Sequence, residues 1–293
     1  MKTSNTTNRI LTGIVLGIST VFLGVLAIYW TYVPYLQMRT LYKKLDVAFA
    51  NGKNEVFTDA KFVFSPWTYA QGLIRYDVVD LMLTQYKLGK LKTDHPIFTL
   101  GLQKLEEYVD REPNFLNYYF ILGRAYDKLA DIHNNNMTEL KKAEEFYKKG
   151  LALNPYRQDG RYAYAINLMN QGREAESLDL IHETLNQNNS LAETYYYAGV
   201  LEMRAQKPDY STALFDMEKG LSGGVNADPR ATSRIYQILF NTFYQAKDVQ
   251  RFSTVITRRM ELDSQQKATY EAILEYIKAH NAIPIIDIVP QKK

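Results

Sequence analysis

Residues 117–130 read NYYFILGRAYDKLA, and residues 143–155 read AEEFYKKGLALNP. Each segment places small and large side chains on one face of a helix. The small residues are Gly123, Ala143 and Gly150, and the large ones are Tyr119, Leu122, Tyr126 and Tyr147. A small residue lets two helices approach closely, and a large residue on the facing helix fills the groove between them. The two segments therefore predict a pair of antiparallel helices, joined by a turn that the insertion DIHNNNMTE lengthens.

This order of small and large residues, ending in Asn154-Pro155, is that of the tetratricopeptide (TPR) repeat, whose period is about 34 residues. Two further units follow in near register. Their marker residues are Ala165, Ser177 and Ile181 in the second unit, and Tyr195, Ala198, Gly199, Ala213, Met217 and Gly220 in the third. Ala165 and Gly199 lie 34 positions apart. The sequence therefore predicts TPR-like repeats over residues 113–222.

On both sides of these repeats the apolar residues also recur at helical spacing, and no strand pattern is found. Residues 35–112 are predicted to form degenerate helical hairpins. Residues 223–281 are predicted to form a divergent helical pair and a capping helix, followed by a tail over 282–293. The predicted fold class is all-α, with a single N-terminal transmembrane helix followed by a TPR-like α-solenoid of antiparallel helical hairpins.

The N-terminal segment from Ile10 to Tyr32 contains no charged residue and follows a polar flank at 1–9. A helix of this length measures roughly 35 Å, enough to span a hydrocarbon core of about 30 Å. Aromatic side chains cluster at its far end, where amphipathic rings favour the lipid–water boundary, and Pro34 is expected to end it. The sequence therefore predicts a single-pass membrane protein in which this segment contacts the bilayer. A signal peptide cleaved near Val25-Leu26-Ala27 is the alternative.

The side of the membrane on which the repeats lie is not fixed by the sequence. Arg39, Lys43 and Lys44 follow the span, and by the positive-inside rule they favour a cytoplasmic repeat domain. A signal anchor with its N-terminus inside would place the domain on the other side.

Composition narrows the class of function. The 35 basic and 32 acidic residues are too evenly balanced for a nucleic-acid-binding surface. Cysteine is absent, which excludes thiolate chemistry and cysteine-ligated zinc. The four histidines, His95, His133, His182 and His280, have no metal-ligand spacing, and no catalytic or phosphate-binding motif occurs. We therefore predict no catalytic, cofactor-binding or metal-binding residues in this chain.

Function is then expected to lie in a surface. The first helices of stacked hairpins line a groove suited to an extended peptide or a partner helix. The residues expected to face this groove, and to bind a protein or peptide partner, are Phe120, Arg124, Asp127, Lys128, Tyr162, Met169, Asn170, Tyr196, Met203 and Arg204. Tyr, Met and Arg are side chains that protein-binding surfaces favour.

The region from about Tyr35 to the end resembles the C-terminal TPR extension of bacterial O-antigen polymerase/ligase-type membrane proteins. The likeness lies in the aromatic-proline exit Tyr32-Val33-Pro34, in QGLIR at 71–75, and in the run from LEEYVDREPNF at 105–115 into the first repeat. The resemblance implies a scaffold in envelope or surface-glycan assembly. Those enzymes carry their chemistry on many membrane spans, so this chain would alternatively be a detached domain or a C-terminal fragment of one. A structural spacer without a specific ligand is a third hypothesis.

Overall fold

The computed structural model describes residues 3–51, 71–89, 96–187 and 191–286, and this part of the chain contains twelve α-helices and no strand. The helices are α1 (Thr3–Asn51), α2 (Gln71–Lys87), α3 (Pro96–Val109), α4 (Leu116–Ile132), α5 (Met137–Leu153), α6 (Gln158–Asn170), α7 (Glu174–Gln187), α8 (Ala192–Arg204), α9 (Tyr210–Ser222), α10 (Pro229–Gln245), α11 (Val249–Leu262) and α12 (Lys267–His280), with a short 3₁₀ helix at Ser264–Gln266. The predicted all-α class is confirmed.

Helix α1 is long and apolar enough over Thr12–Thr40 to cross a membrane, judged by length and composition. The expectation that Pro34 ends this helix is wrong, because α1 continues through Pro34 to Asn51. Proline removes one backbone hydrogen bond, but the residues after it, LQMR at 36–39, are good helix formers. Pro34 and Gln37 are buried, and α1 contacts α2.

The described chain divides into two compact units, of which the first is Met1–Leu153. In this unit α2 packs on α3 and α4 packs on α5, while α4 also contacts α2 and α3. The buried side chains between α2 and α3 include Val78, Met82, Phe98 and Leu105. Two hairpins therefore stack on each other, as the helical periodicity of residues 71–153 indicates.

The hairpin of α4 and α5 is held together by the small and large residues that the sequence pairs. A methyl group on Gly123 would lie 2.6 Å from a ring carbon of Tyr147, and one on Gly150 would lie 2.7 Å from the ring of Phe120. Both distances are shorter than van der Waals contact allows. The two glycines are therefore the points at which these helices touch, as the TPR pattern predicts.

The second unit, Asn154–Lys293, contains the hairpins α6/α7, α8/α9 and α10/α11, with α12 packed on α11. Helix α8 contacts both α6 and α7, which makes the second and third repeats direct neighbours. The predicted divergent pair is α10 and α11, and the predicted last helix is α12. They share one core with α8 and α9 that includes Met217, Tyr236, Phe252 and Tyr270.

The same close packing occurs in the second unit. A methyl group on Gly199 would lie 2.6 Å from the carbonyl oxygen of Ala213, and one on Gly220 would lie 2.6 Å from the backbone nitrogen of Tyr196. Ala165 is fully buried, and its carbonyl accepts a 2.7 Å hydrogen bond from Ser177 Oγ. These marker residues of the predicted repeats thus lie at contacts between helices. The tail residues 287–293 lie outside the described residues.

Candidate protein-binding face

In the second unit the first helices of two successive repeats, α6 and α8, contact each other along one side. Two side-chain contacts join them there. The rings of Tyr162 and Tyr197 stack with their centroids 4.7 Å apart, and Arg204 Nη2 donates a 2.8 Å hydrogen bond to Asn170 Oδ1. We call the surface formed by Tyr162, Asn170, Tyr197, Met203 and Arg204 the α6/α8 face. The partners in these contacts lie one repeat apart in sequence, so the repeat itself builds the face.

Arg204 gives this face its charge. Its side chain is exposed, and surrounding protein atoms partly desolvate the guanidinium, which lowers the pKa of Arg204 from its ordinary value. An arginine remains positively charged in spite of such a shift. Within the part of the chain that the structure describes, Arg204 makes no ion pair with a carboxylate, and it donates its hydrogen bond to the neutral amide of Asn170. The guanidinium therefore retains donors for a bidentate acceptor.

The centre of the face is apolar. Ile166 on α6 and Val200 on α8 are half-buried and pack against the cores of their hairpins, and so does Met203. Ile166 lies one helical turn after Tyr162, and Val200 lies one turn after Tyr197. The face thus combines an aromatic pair, aliphatic side chains and one uncompensated cation, which suits a ligand that is partly apolar and partly acidic.

Two of the predicted groove residues in this unit lie inside the protein. Met169 is 8% exposed and Tyr196 is 5% exposed. Met169 belongs to the core between the second and third repeats. The Tyr196 hydroxyl shares a 2.9 Å hydrogen bond with Thr232 Oγ1, and its backbone lies against Gly220. Both side chains therefore serve packing, since no open surface reaches them.

In the first unit most of the predicted groove residues are buried or already bonded to neighbouring side chains. Phe120 is 5% exposed, beneath Gly150. Asp127 accepts a 2.7 Å hydrogen bond from Tyr147 Oη, and Lys128 forms a 2.6 Å ion pair with Asp131. Arg124 is exposed and interacts with Tyr76. Of the predicted residues in this unit, Arg124 alone is an exposed cation without a carboxylate partner among the described residues.

Sequence reasoning missed Tyr197, Ile166 and Val200. Three tyrosines in succession, Tyr195 to Tyr197, make the rotation of α8 hard to assign, because neighbouring helical residues point about 100° apart. The available signal was the period itself. Tyr162 lies three residues before Ala165 and Tyr197 two residues before Gly199, while Ile166 and Val200 each directly follow those small residues.

The described histidines have local partners. His133 Nδ1 lies 2.7 Å from Glu139 and His182 Nε2 lies 2.8 Å from Glu202, while His280 lies 3.0 Å from the carbonyl of Tyr276. His95 lies outside the described residues. Within the described ranges no three histidine, aspartate or glutamate side chains are grouped as a metal ion would require.

Comparison with known proteins finds similarity only among solved structures. No protein-family model matches the chain, and no curated protein matches it. Among solved structures, MamA residues 41–end from Desulfovibrio magneticus RS-1 is 16% identical with a TM-score of 0.46, covering 67% of this chain and 96% of that one. A thermophilic TPR protein of Thermus thermophilus is 17% identical with a TM-score of 0.46, covering 70% of this chain and 99% of that one.

At these identities and scores the likenesses do not establish a common fold by themselves. The repeat type rests on the hairpin packing described above, in which Gly123, Ala165 and Gly199 occupy the contact positions. The resemblance to O-antigen polymerase/ligase-type extensions finds no support in these comparisons.

Proposed function

We propose that this chain is a membrane-anchored TPR scaffold that binds a protein or peptide partner on its α6/α8 face. The observation that carries the proposal is Arg204, an exposed guanidinium that donates a hydrogen bond to the neutral side chain of Asn170. A charge held in this way, on the same face as a stacked aromatic pair, is complementary to a partner carboxylate.

A peptide fits this face better than a small solute. The Tyr162–Tyr197 pair and the Arg204–Asn170 pair lie about two helical turns apart along α6 and α8, since Tyr162 and Asn170 are eight residues apart. At about 1.5 Å per residue that separation is roughly 12 Å. An extended peptide of about four residues spans this distance. The partner segment would place an apolar side chain on the tyrosines and an acidic group on Arg204.

Anchoring supports a scaffold role. If Ile10 to Tyr32 spans the bilayer, partners in the same membrane meet the face at a raised effective concentration, so modest contacts suffice for binding. The basic residues Arg39, Lys43 and Lys44 favour a cytoplasmic location for the repeats.

A role in envelope or surface-glycan assembly rests on the family resemblance alone, and so does the alternative that the chain is a fragment of a multi-span enzyme. Reading the DNA upstream of the first codon distinguishes them. Further apolar spans in the same reading frame would favour the enzyme fragment, and a stop codon in that frame would favour a separate scaffold.

The binding proposal is tested by site-specific photo-crosslinking in native membranes. A benzophenone amino acid replaces Met203 on the α6/α8 face or, as a control, the exposed Asp179 on the second helix α7. We expect a discrete adduct from position 203 that is absent from position 179 and is lost when Arg204→Glu is added. Identical adducts from both positions, or an adduct that survives Arg204→Glu, would contradict the proposal.

A further inference from the structure

We propose that a cleft between α9 and α11, formed by second helices and separate from the α6/α8 face, is a further binding site that takes a peptide segment with a carboxylate next to an apolar side chain. The cleft has a volume of about 430 Å³, which falls in the usual range of ligand sites. Its wall includes Leu214, Phe215, Lys219, Gln250, Arg251 and Thr254.

The apolar part of the cleft is Phe215. Its side chain is 63% exposed, although the neighbouring Leu214 is buried in the core. An exposed aromatic ring at the edge of a cleft gains free energy when a partner covers it, and aromatic residues are enriched at protein interfaces. A single exposed ring is common on protein surfaces, but this ring also has a cation next to it.

Lys219 supplies that second feature. Its ammonium donates a 2.7 Å hydrogen bond to Tyr195 Oη and lies 3.9 Å from the centre of the Tyr195 ring. It also lies 5.9 Å from the centre of the Phe215 ring. In the described part of the chain no carboxylate lies within ion-pair distance of Lys219. The tyrosine therefore holds a positive charge in place beside the exposed ring and leaves its other donors available.

The other charged groups of the cleft are already compensated. Glu218 forms a 2.7 Å ion pair with Arg258 and accepts a hydrogen bond from Tyr236. Arg251 forms a 2.6 Å ion pair with Asp248. Lys219 is consequently the one lining charge, among the described residues, without an opposite charge within ion-pair distance, although the buried Asp216 on the same helix interacts with it electrostatically. The complementary ligand carries a carboxylate that reaches Lys219 and an apolar side chain that covers Phe215. The carboxylate belongs either to an acidic side chain or to a chain terminus.

The probe is the photoreactive peptide acetyl-Gly-Bpa-Asp-Gly-amide, in which Bpa is p-benzoylphenylalanine, with the full chain in detergent micelles. Peptide mapping by mass spectrometry locates the adducts. We expect them on residues 210–222 and 249–262. Half-maximal labelling should need an about fivefold higher probe concentration for Lys219→Gln. When Asn replaces Asp in the probe, half-maximal labelling of the wild type should need a similarly higher probe concentration. Lys207→Gln, which removes an exposed lysine elsewhere, should label like the wild type.

A second pair of probes, acetyl-Gly-Bpa with a free or an amidated C-terminus, tests whether the carboxylate comes from a chain terminus. Stronger labelling by the Asp probe than by the Asn probe, or by the free terminus than by the amidated one, supports the site. If Lys219→Gln does not fold, Phe215→Ser is the second test variant, because it alters an exposed side chain of the cleft. It should also weaken labelling. Equal labelling by the Asp and Asn probes, or unchanged labelling of both variants, would overturn the inference. Adducts confined to α6 and α8 would also overturn it while leaving the proposed function standing.

Discussion

At the scale of single residues, the packing of the repeats depends on a few glycines, whose lack of a side chain lets two helices touch. The three atoms nearest to a methyl group on Gly123 all belong to the ring of Tyr147, whereas those nearest to one on Gly199 include the carbonyl oxygen of Ala213 and the backbone nitrogen of Met217. Overpacking against a side chain can be relieved by trimming that side chain, but overpacking against backbone cannot. The two glycines therefore make different predictions.

Gly123→Ala is expected to destabilise the protein by about 1–2 kcal/mol, because the cost of overpacking exceeds the roughly 1 kcal/mol that alanine gains in helix propensity. The double variant Gly123→Ala/Tyr147→Leu should recover part of that loss beyond additivity. Urea unfolding of the single and double variants measures the coupling.

Gly199→Ala serves as the contrast. Combining it with Met217→Ala should recover nothing, since the carbonyl oxygen of Ala213 stays in place. Strict additivity in the Gly123 and Tyr147 pair, or rescue in the Gly199 and Met217 pair, would show that these residues do not touch as described.

The buried carboxyl group of Asp216 makes the stability of the folded protein depend on pH. Burial raises the pKa of Asp216 to about 6; the neighbouring Glu202 also raises it, while His182 and Lys219 lower it. Because the folded-state pKa exceeds the ordinary value near 3.9, the folded protein binds the proton more tightly. Its stability should therefore fall as pH rises from about 4 to 6.

Asp216→Asn is expected to be more stable than the wild type at pH 7, by on the order of 2 kcal/mol. The difference should shrink towards a constant below pH 4, where both side chains are neutral. Chemical unfolding at several pH values measures this difference, with the exposed Asp179→Asn as the control. A difference that does not vary with pH would contradict the burial of a charged Asp216.

The sequence predicts which residues are small and which are large, but not how far each helix is rotated. Gly123, Ala165 and Gly199 are recognisable because their type is restricted by close contact. Tyr196 and Met169 are expected on the surface and lie inside, because tyrosine and methionine suit both environments. Only the positions of neighbouring helices decide between them.

At the scale of helices, three successive helices of the second unit begin with an aspartate N-cap. Asp209, Asp228 and Asp248 occupy the N-caps of α9, α10 and α11, and their carboxylates accept hydrogen bonds from backbone N–H groups. Backbone hydrogen bonds from Thr212 and Arg251 lower the pKa of Asp209 and of Asp248, respectively. The negative charge also interacts favourably with the positive end of each helix.

Asp209→Ala and Asp248→Ala are each expected to cost about 1 kcal/mol at pH 7. Because the folded-state pKa values are lowered, this stabilisation is present above the ordinary aspartate pKa and is lost as pH falls through the lowered values. Urea unfolding at pH 7 and near pH 2 measures the loss, with Asp179→Ala, inside a helix, as the control. Costs that persist unchanged near pH 2 would argue against charged caps.

Helix ends are less predictable than helix existence. Pro34 is expected to end the first helix, yet α1 continues to Asn51. A proline removes one hydrogen bond but leaves the helix-forming residues beyond it unaffected. Contact between α1 and α2 in the folded unit also favours continuation, and this tertiary contact has no local signature in the sequence.

At the scale of the whole molecule, the proposed membrane anchor precedes the repeat domain. Val21→Arg combined with Phe22→Arg places two charges near the middle of the apolar segment, and each costs roughly 3 kcal/mol to insert. We expect the wild-type chain to stay with membranes after alkaline carbonate extraction and the double variant to be released. Tyr156→Arg, on an exposed ring in the second unit, should not change extraction.

Intact mass of the membrane-bound chain distinguishes the anchor from a signal peptide. An uncleaved anchor predicts that residues 10–32 remain part of the membrane-bound chain. A chain that begins shortly after Ala27 would identify a cleaved signal peptide and rule out the proposed anchoring.

The central claim is that a partner occupies the α6/α8 face, and the absence of cysteine from the chain allows a direct measurement. Met203→Cys and Asp179→Cys each introduce one thiol, on the face and on a second helix respectively. Their maleimide labelling rates are compared between native membranes and the purified protein. We predict that labelling at position 203 slows several-fold in membranes while labelling at position 179 does not. Equal ratios at the two positions would contradict the claim.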